Sequence, residues 1–130
     1  MRFLMPAHPC EFEIPDEWLA GLPIDRQPAL GAAYRPTKPA LFVPLAAIQP
    51  PRRNLATPKD WHGFDRIRFR RVLKRMAFGH DLDPVPLREV PPMEWCNQLY
   101  PYVVANGYHR FFASIVAGFD HLPGEILGSR

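Results

Sequence analysis

The chain has 130 residues, 47% of them hydrophobic and 12% aromatic, with a formal net charge of +3. That apolar content can build one packed core without disulfides or a structural metal, and it excludes a disordered chain. No apolar run approaches the ~20 residues of a membrane-spanning helix, and the proline-broken start lacks the long apolar stretch of a signal peptide; a soluble, cytoplasmic protein without membrane contact is expected.

Seventeen prolines predict short elements with many breaks. Residues 11–14 alternate as a strand, and Pro15 then opens a short acidic helix over 16–22. Residues 23–40, rich in Pro, Gly and Ala, read as irregular wrapping with a short strand near Tyr34. A strand over 41–45 runs into the rigid corner "IQPPRRN", and 55–63 read as a loop. The strongest helix spans 64–78, because Phe69, Val72, Leu73 and Met76 recur at helical spacing and Gly79 stops it. Its other faces are cationic: Arg66, Arg70 and Lys74 form one exposed stripe, and Arg68, Arg71 and Arg75 a second. A loop, "GHDLD", leads to a strand over 85–90. A second apolar strand is expected over 99–105. Asn106 suits the N-cap of the next helix, whose core side would be Tyr108, Phe111, Phe112, Ile115 and Val116; Gly118 ends it, and "HLPGEIL" is a last strand. The pattern predicts a small α+β or α/β domain behind an N-terminal extension of residues 1–40. Cys10 and Cys96 form no CxxC and are read as two ordinary reduced thiols.

Charge is unevenly placed. Residues 52–75 hold nine basic residues and two acids, a net +7, so the rest of the chain carries −4. A concentrated basic face calls for an acidic partner. A second anomaly sits in "NGYHR", residues 106–110, where a helix begins with His109 and Arg110. Cations oppose the positive end of a helix dipole, and a bound anion would resolve the conflict. The Asn106-Gly107 turn would bare amide groups, Arg110 would add a forked contact to phosphate or carboxylate, and His109 a donor or an acid–base group. The ordinary alternative is Arg110 paired with Asp81 or Asp83 and His109 partly buried. Arg52 and Arg53, after a Pro-Pro corner, are placed to reach the same ligand, or form a plain surface pair. His80, Asp81 and Asp83 are candidate ligands for Mg²⁺ bridging to phosphates, against the plainer reading of a polar loop.

Three of these stretches come in a telling order. "VPLAAIQPPRRN", a helix, "GHDLDPVPLREV" and "YPYVVANGYHRFFASIVAGFDHLP" together resemble the ParB/sulfiredoxin-like superfamily over residues 41–127. The resemblance implies a small mixed sheet packed by two main helices, and a phosphate-binding turn at Asn106, Gly107, Tyr108, His109 and Arg110. Tyr108 stands where the ParB type has Glu and the sulfiredoxin type has its catalytic Cys. Sulfinic-acid reduction by that route is therefore not expected.

Three functions fit these readings. The first is a domain binding a nucleotide or phosphorylated metabolite, with phosphoryl-transfer or hydrolase activity as an extension; Arg52, Arg53 and residues 106–110 would hold phosphate, Asp81 and Asp83 would hold Mg²⁺, and His109, Asp81 or Asp83 would act as acid or base. The second is a nucleic-acid binder or nuclease using Arg66, Arg70 and Lys74. The third is a non-catalytic interaction module, including a homodimer formed through the acidic and basic helices.

Overall fold

A computed structural model describes residues 1–6, 11–22, 33–51, 63–89, 94–95 and 98–127, with backbone only at 94–95 and 98–99. Arg52, Arg53, Cys10 and Cys96, and the 55–63 loop up to residue 62, lie outside the described residues. The first two strands, β1 (Arg2–Leu4) and β2 (Glu11–Glu13), pair antiparallel, and Phe3 stacks on Phe12 with ring centroids 5.5 Å apart. Alternation turns Phe12 inward between two exposed glutamates. Helix α1 (Asp16–Leu19) is shorter than the expected 16–22. Ala20 is already extended at ψ 135° and Gly21 turns left-handed at φ 79°, which ends the helix after one turn. Trp18 and Leu19 are buried.

Five strands form the main sheet: β3 (Leu41–Pro44), β4 (Ile48–Gln49), β5 (Val85–Glu89), β8 (Tyr102–Val104) and β9 (His121–Ile126). Between β5 and β8 the chain makes a small antiparallel pair, β6 (Glu94–Trp95) with β7 (Gln98–Leu99). The order across the sheet is β3-β9-β5-β8-β4. It is mixed: β3 is antiparallel to β9 and β5 to β8, while β5 runs parallel to β9 and β4 to β8. The fold is α+β, as the pattern predicts. Three boundaries differ. The first strand stops at Pro44, where a 3-10 turn over Leu45–Ala47 takes over and delivers the unexpected β4 to the sheet edge. The 99–105 strand is divided around Pro101, which offers no N–H to a ladder. Near Tyr34 the described residues, from 33 on, form an isolated bridge, Pro36 to Leu82.

Helix α2 (Arg66–Ala77) starts after Asp65, whose carboxylate accepts from the Arg68 N–H at 3.0 Å as an N-cap. Phe69, Leu73 and Met76 are buried, and Val72 is half-buried. Helix α3 (Tyr108–Val116) packs against α2 and β9, burying His109, Phe111, Phe112, Ala113, Ser114 and Val116. Enclosure on two sides explains why its buried face is wider than expected; Tyr108 and Ile115 end up half-buried. Ser114 sits in the core without cost because its hydroxyl donates to the Arg110 carbonyl at 2.8 Å. Phe64 is the hub, with ring contacts to Phe12, Phe69, Tyr108, His109 and Phe112. No helix among the described residues is long and apolar enough to cross a membrane.

Candidate functional site

The chain leaves β8 through Ala105 and Asn106 and enters α3 at Gly107. Gly107, not Asn106, is the residue flanking the helix, and it is left-handed at φ 84°, ψ 40°. The Asn106 side chain caps differently from the expected pattern: its Oδ1 accepts from the adjacent Gly107 N–H at 2.8 Å. Asn106 therefore bends the turn and leaves the first helical amides to others. The Arg110 N–H closes back on the Gly107 carbonyl at 3.0 Å.

The next three side chains part company. The Tyr108 hydroxyl donates to the Gly63 carbonyl. His109 is 4% exposed, and its Nε2 accepts from the Asp65 N–H at 3.0 Å. Together they clasp the segment that starts α2. The imidazole expected to meet a phosphate or move a proton lies buried among Phe64, Phe69 and Tyr108. The Arg110 guanidinium turns the other way, toward the loop before β5. Its Nη1 donates to the Asp83 carbonyl at 2.8 Å and the Pro84 carbonyl at 3.0 Å. Tyr34, which sequence reading passed over, completes this cluster: its hydroxyl donates to the Asp83 carbonyl at 2.7 Å, the same oxygen that accepts from Arg110. Burial pushes the Tyr34 hydroxyl well above the ordinary tyrosine range, against a smaller opposite pull from the Arg110 charge.

Above the turn lies an open cleft of about 380 Å³, lined by Gln49, Pro50 and Pro51 on one side and by residues 103–108 on the other. It sits where parallel β4 and β8 both end at their carboxyl termini and α3 begins. In open α/β sheets ligands favour this location, because the chains diverge there and a helix N-terminus points into the gap. Sequence reading put Arg52 and Arg53, after the Pro-Pro corner, in one site with the Asn-Gly turn; those two arginines lie outside the described residues, and Pro50 and Pro51 line the cleft together with the turn. Asn106, Gly107 and Tyr108 line the cleft; Arg110 does not line it, but folds against Gly107. Gln49, Val103 and Val104 are lining residues that sequence reading missed. The signal was weak: a two-residue strand has no periodicity to detect.

Comparison with protein-family models found no match, and comparison with curated proteins found none either.

Asp81 and Asp83 lie in the loop between α2 and β5 and are not among the described residues that line the cleft. Asp81 is ion-paired with Arg35, and its carbonyl accepts from Arg75 at 2.6 and 3.0 Å. The Asp83 carboxylate accepts from the Thr37 hydroxyl at 2.6 Å. The pairing considered for Arg110 with these acids takes a different form: its contact is to Asp83's carbonyl, not to a carboxylate. Among the described residues no group of three or more His, Cys, Asp or Glu is placed to hold a metal ion. The stripe of Arg66, Arg70 and Lys74 is where the helical spacing puts it, on the outward side of α2, together with Ile67 and Arg71 around a second open hollow.

Proposed function

We propose that the chain is a cytoplasmic binding domain for a nucleotide or phosphorylated metabolite, of the ParB/sulfiredoxin-like type. One observation carries the reading: the cleft at the carboxyl ends of β4 and β8 is floored by a left-handed glycine turn at the start of a helix, and a cation is locked beneath it. Arg110 is held by carbonyl oxygens, and among the described residues no carboxylate forms an ion pair with it. That leaves a positive field under an already positive helix end, which favours an anion in the cleft. The prolines and the Tyr108 ring offer flat apolar surface for a base or another ring, and Gln49 and Asn106 offer amides to orient it. The proposal is for binding, with Mg²⁺ arriving on the nucleotide. Among the described lining residues there is no carboxylate or imidazole to serve as a base, so phosphoryl transfer or hydrolysis would need a group supplied from elsewhere.

Titration calorimetry with ATP, CTP, GTP, ADP and inorganic phosphate, each with and without Mg²⁺, tests this. At least one phosphate-bearing ligand is expected to bind. Asn106→Asp should weaken it about tenfold, because the variant keeps the acceptor for the Gly107 N–H but adds a negative charge at the mouth. Absence of heat with every ligand would overturn the reading.

A further inference from the structure

The outward face of α2 carries Arg66, Ile67, Arg70, Arg71 and Lys74 around an open hollow of about 480 Å³. The helix contains no acid at all. Arg66–Arg70, Arg70–Lys74 and Arg71–Arg75 are like-charge neighbours one turn apart, an arrangement that works against the helix. Among them, Ile67 is 68% exposed. An exposed apolar residue beside several arginines has the composition of a protein–protein interface, where apolar residues and Arg are enriched.

The opposite charge lies alongside. Helix α1 packs on α2 through Trp18 and Phe69, ring centroids 6.1 Å apart, and the Arg70 guanidinium donates to the Ala20 carbonyl at 3.3 Å. With Trp18 and Leu19 turned inward, α1 presents Asp16 and Glu17 outward, and β2 just before it presents Glu11 and Glu13. Arg2 and the terminal ammonium offset part of this, through Glu11 at 3.9 Å and Asp16 at 2.9 Å, and the segment remains net acidic.

We propose that these two adjoining patches form a self-association surface, on which a second copy of the chain docks about a two-fold axis. A two-fold interface is self-complementary: if patch A meets patch B, then B meets A. That requires both signs on one side of the molecule, and the α1–α2 contact supplies it. The α1 acids of each copy enter the α2 hollow of the other, with Ile67 covered at the centre. The cations alone would also suit a nucleic-acid backbone, but the hollow is lined in part by an exposed aliphatic residue and has no aromatic ring among its described lining on which a base could stack.

Sedimentation velocity on the full chain tests the proposal, with an acid-to-base variant (Asp16→Lys with Glu17→Lys) and a base-to-acid variant (Arg71→Glu with Lys74→Glu). All four positions are exposed, and thermal melts establish that both variants fold; Ile67→Lys is a further single-site variant that should also abolish pairing. The unmodified chain should dimerise at low salt and dissociate at high salt. Each variant alone should be monomeric at low salt. An equimolar mixture of the two should regain the dimer, because both contacts then become complementary again. A chain that stays monomeric at low salt up to near-millimolar concentration overturns the proposal. So does a mixture that fails to pair, or a monomer that binds a single-stranded oligonucleotide through Arg71 and Lys74 instead.

Discussion

The guanidinium of Arg110 lies where a side chain on Gly107 would have to be: a Cβ there would sit 2.8 Å from Nε and 2.9 Å from Cζ. The bareness of Gly107 and the fold-back of Arg110 are thus one device, and φ 84° gives glycine a second reason to be there. Gly107→Ala should cost ~1–2 kcal/mol from the backbone alone, with more from displacing Arg110. Arg110→Ala should cost about 1.5–3 kcal/mol through its carbonyl contacts. The double variant should lose less than the sum, because the clash vanishes once Arg110 is gone. Denaturant unfolding of the three variants measures this; strict additivity would show that the two residues act separately.

Tyr34 predicts an alkaline weakness. Burial raises its hydroxyl above the ordinary value of about 10. The folded state therefore holds that proton more tightly than the unfolded chain does. The stabilisation it lends is complete below about pH 10 and is lost progressively as pH rises above it. Tyr34→Phe should lower stability at neutral pH by about 1 kcal/mol, the worth of one hydrogen bond to the Asp83 carbonyl. It should also flatten the fall in stability above pH 10. Chemical denaturation of both proteins at pH 8 and near pH 11 checks this, and an equally steep alkaline fall in the variant would place the cause elsewhere.

His109 should behave as a core residue. His109→Phe keeps a flat ring, somewhat larger than the imidazole, but strips the Asp65 N–H of its acceptor, at a cost of about 1–3 kcal/mol. Asp65→Ala, which removes the α2 cap, should cost about 1 kcal/mol. Neither change touches the lining of the cleft. Ligand affinity measured well below the melting temperature should stay within about twofold of the unmodified chain. A large loss of affinity in His109→Phe, with stability intact, would return the ring to the binding site.

The sequence makes the long elements legible and hides the short ones. The spacing of Phe69, Leu73 and Met76 locates α2 to within two residues of its start and one of its end, because an apolar stripe sustained over three turns fits a helix and little else. It cannot locate β4, whose two residues place the Pro-Pro corner beside the turn, nor β1, for the same reason. At the site, "NGYHR" is conspicuous, and its glycine and asparagine act at the turn. What the string cannot tell is which way each side chain points. His109 and Arg110 are adjacent in sequence but about 100° apart around a helix; one enters the aromatic core and the other the loop before β5. A cation at a helix start looks like a direct ligand contact, yet carbonyl oxygens 26 and 27 residues upstream hold it, and no local pattern encodes them.

Asp81 and Asp83 give the last prediction, because both carboxylates already have partners away from the cleft. The Arg35–Asp81 pair is largely exposed and should contribute no more than about 1 kcal/mol. The Thr37–Asp83 bond joins the 33–38 segment to the loop beside two backbone bonds, Thr37 to Leu82 at 3.0 Å and Leu82 to Arg35 at 3.1 Å. Those backbone bonds should hold the segment in place without it. Asp81→Asn with Asp83→Asn should therefore leave nucleotide affinity unchanged, and any enhancement by Mg²⁺ should survive, since a metal arriving with the phosphates would not depend on these two groups. Calorimetry in the presence and absence of Mg²⁺ decides the matter. If the double variant loses only the Mg²⁺-dependent part of binding, the loop reaches the ligand after all, and the metal belongs to Asp81 and Asp83.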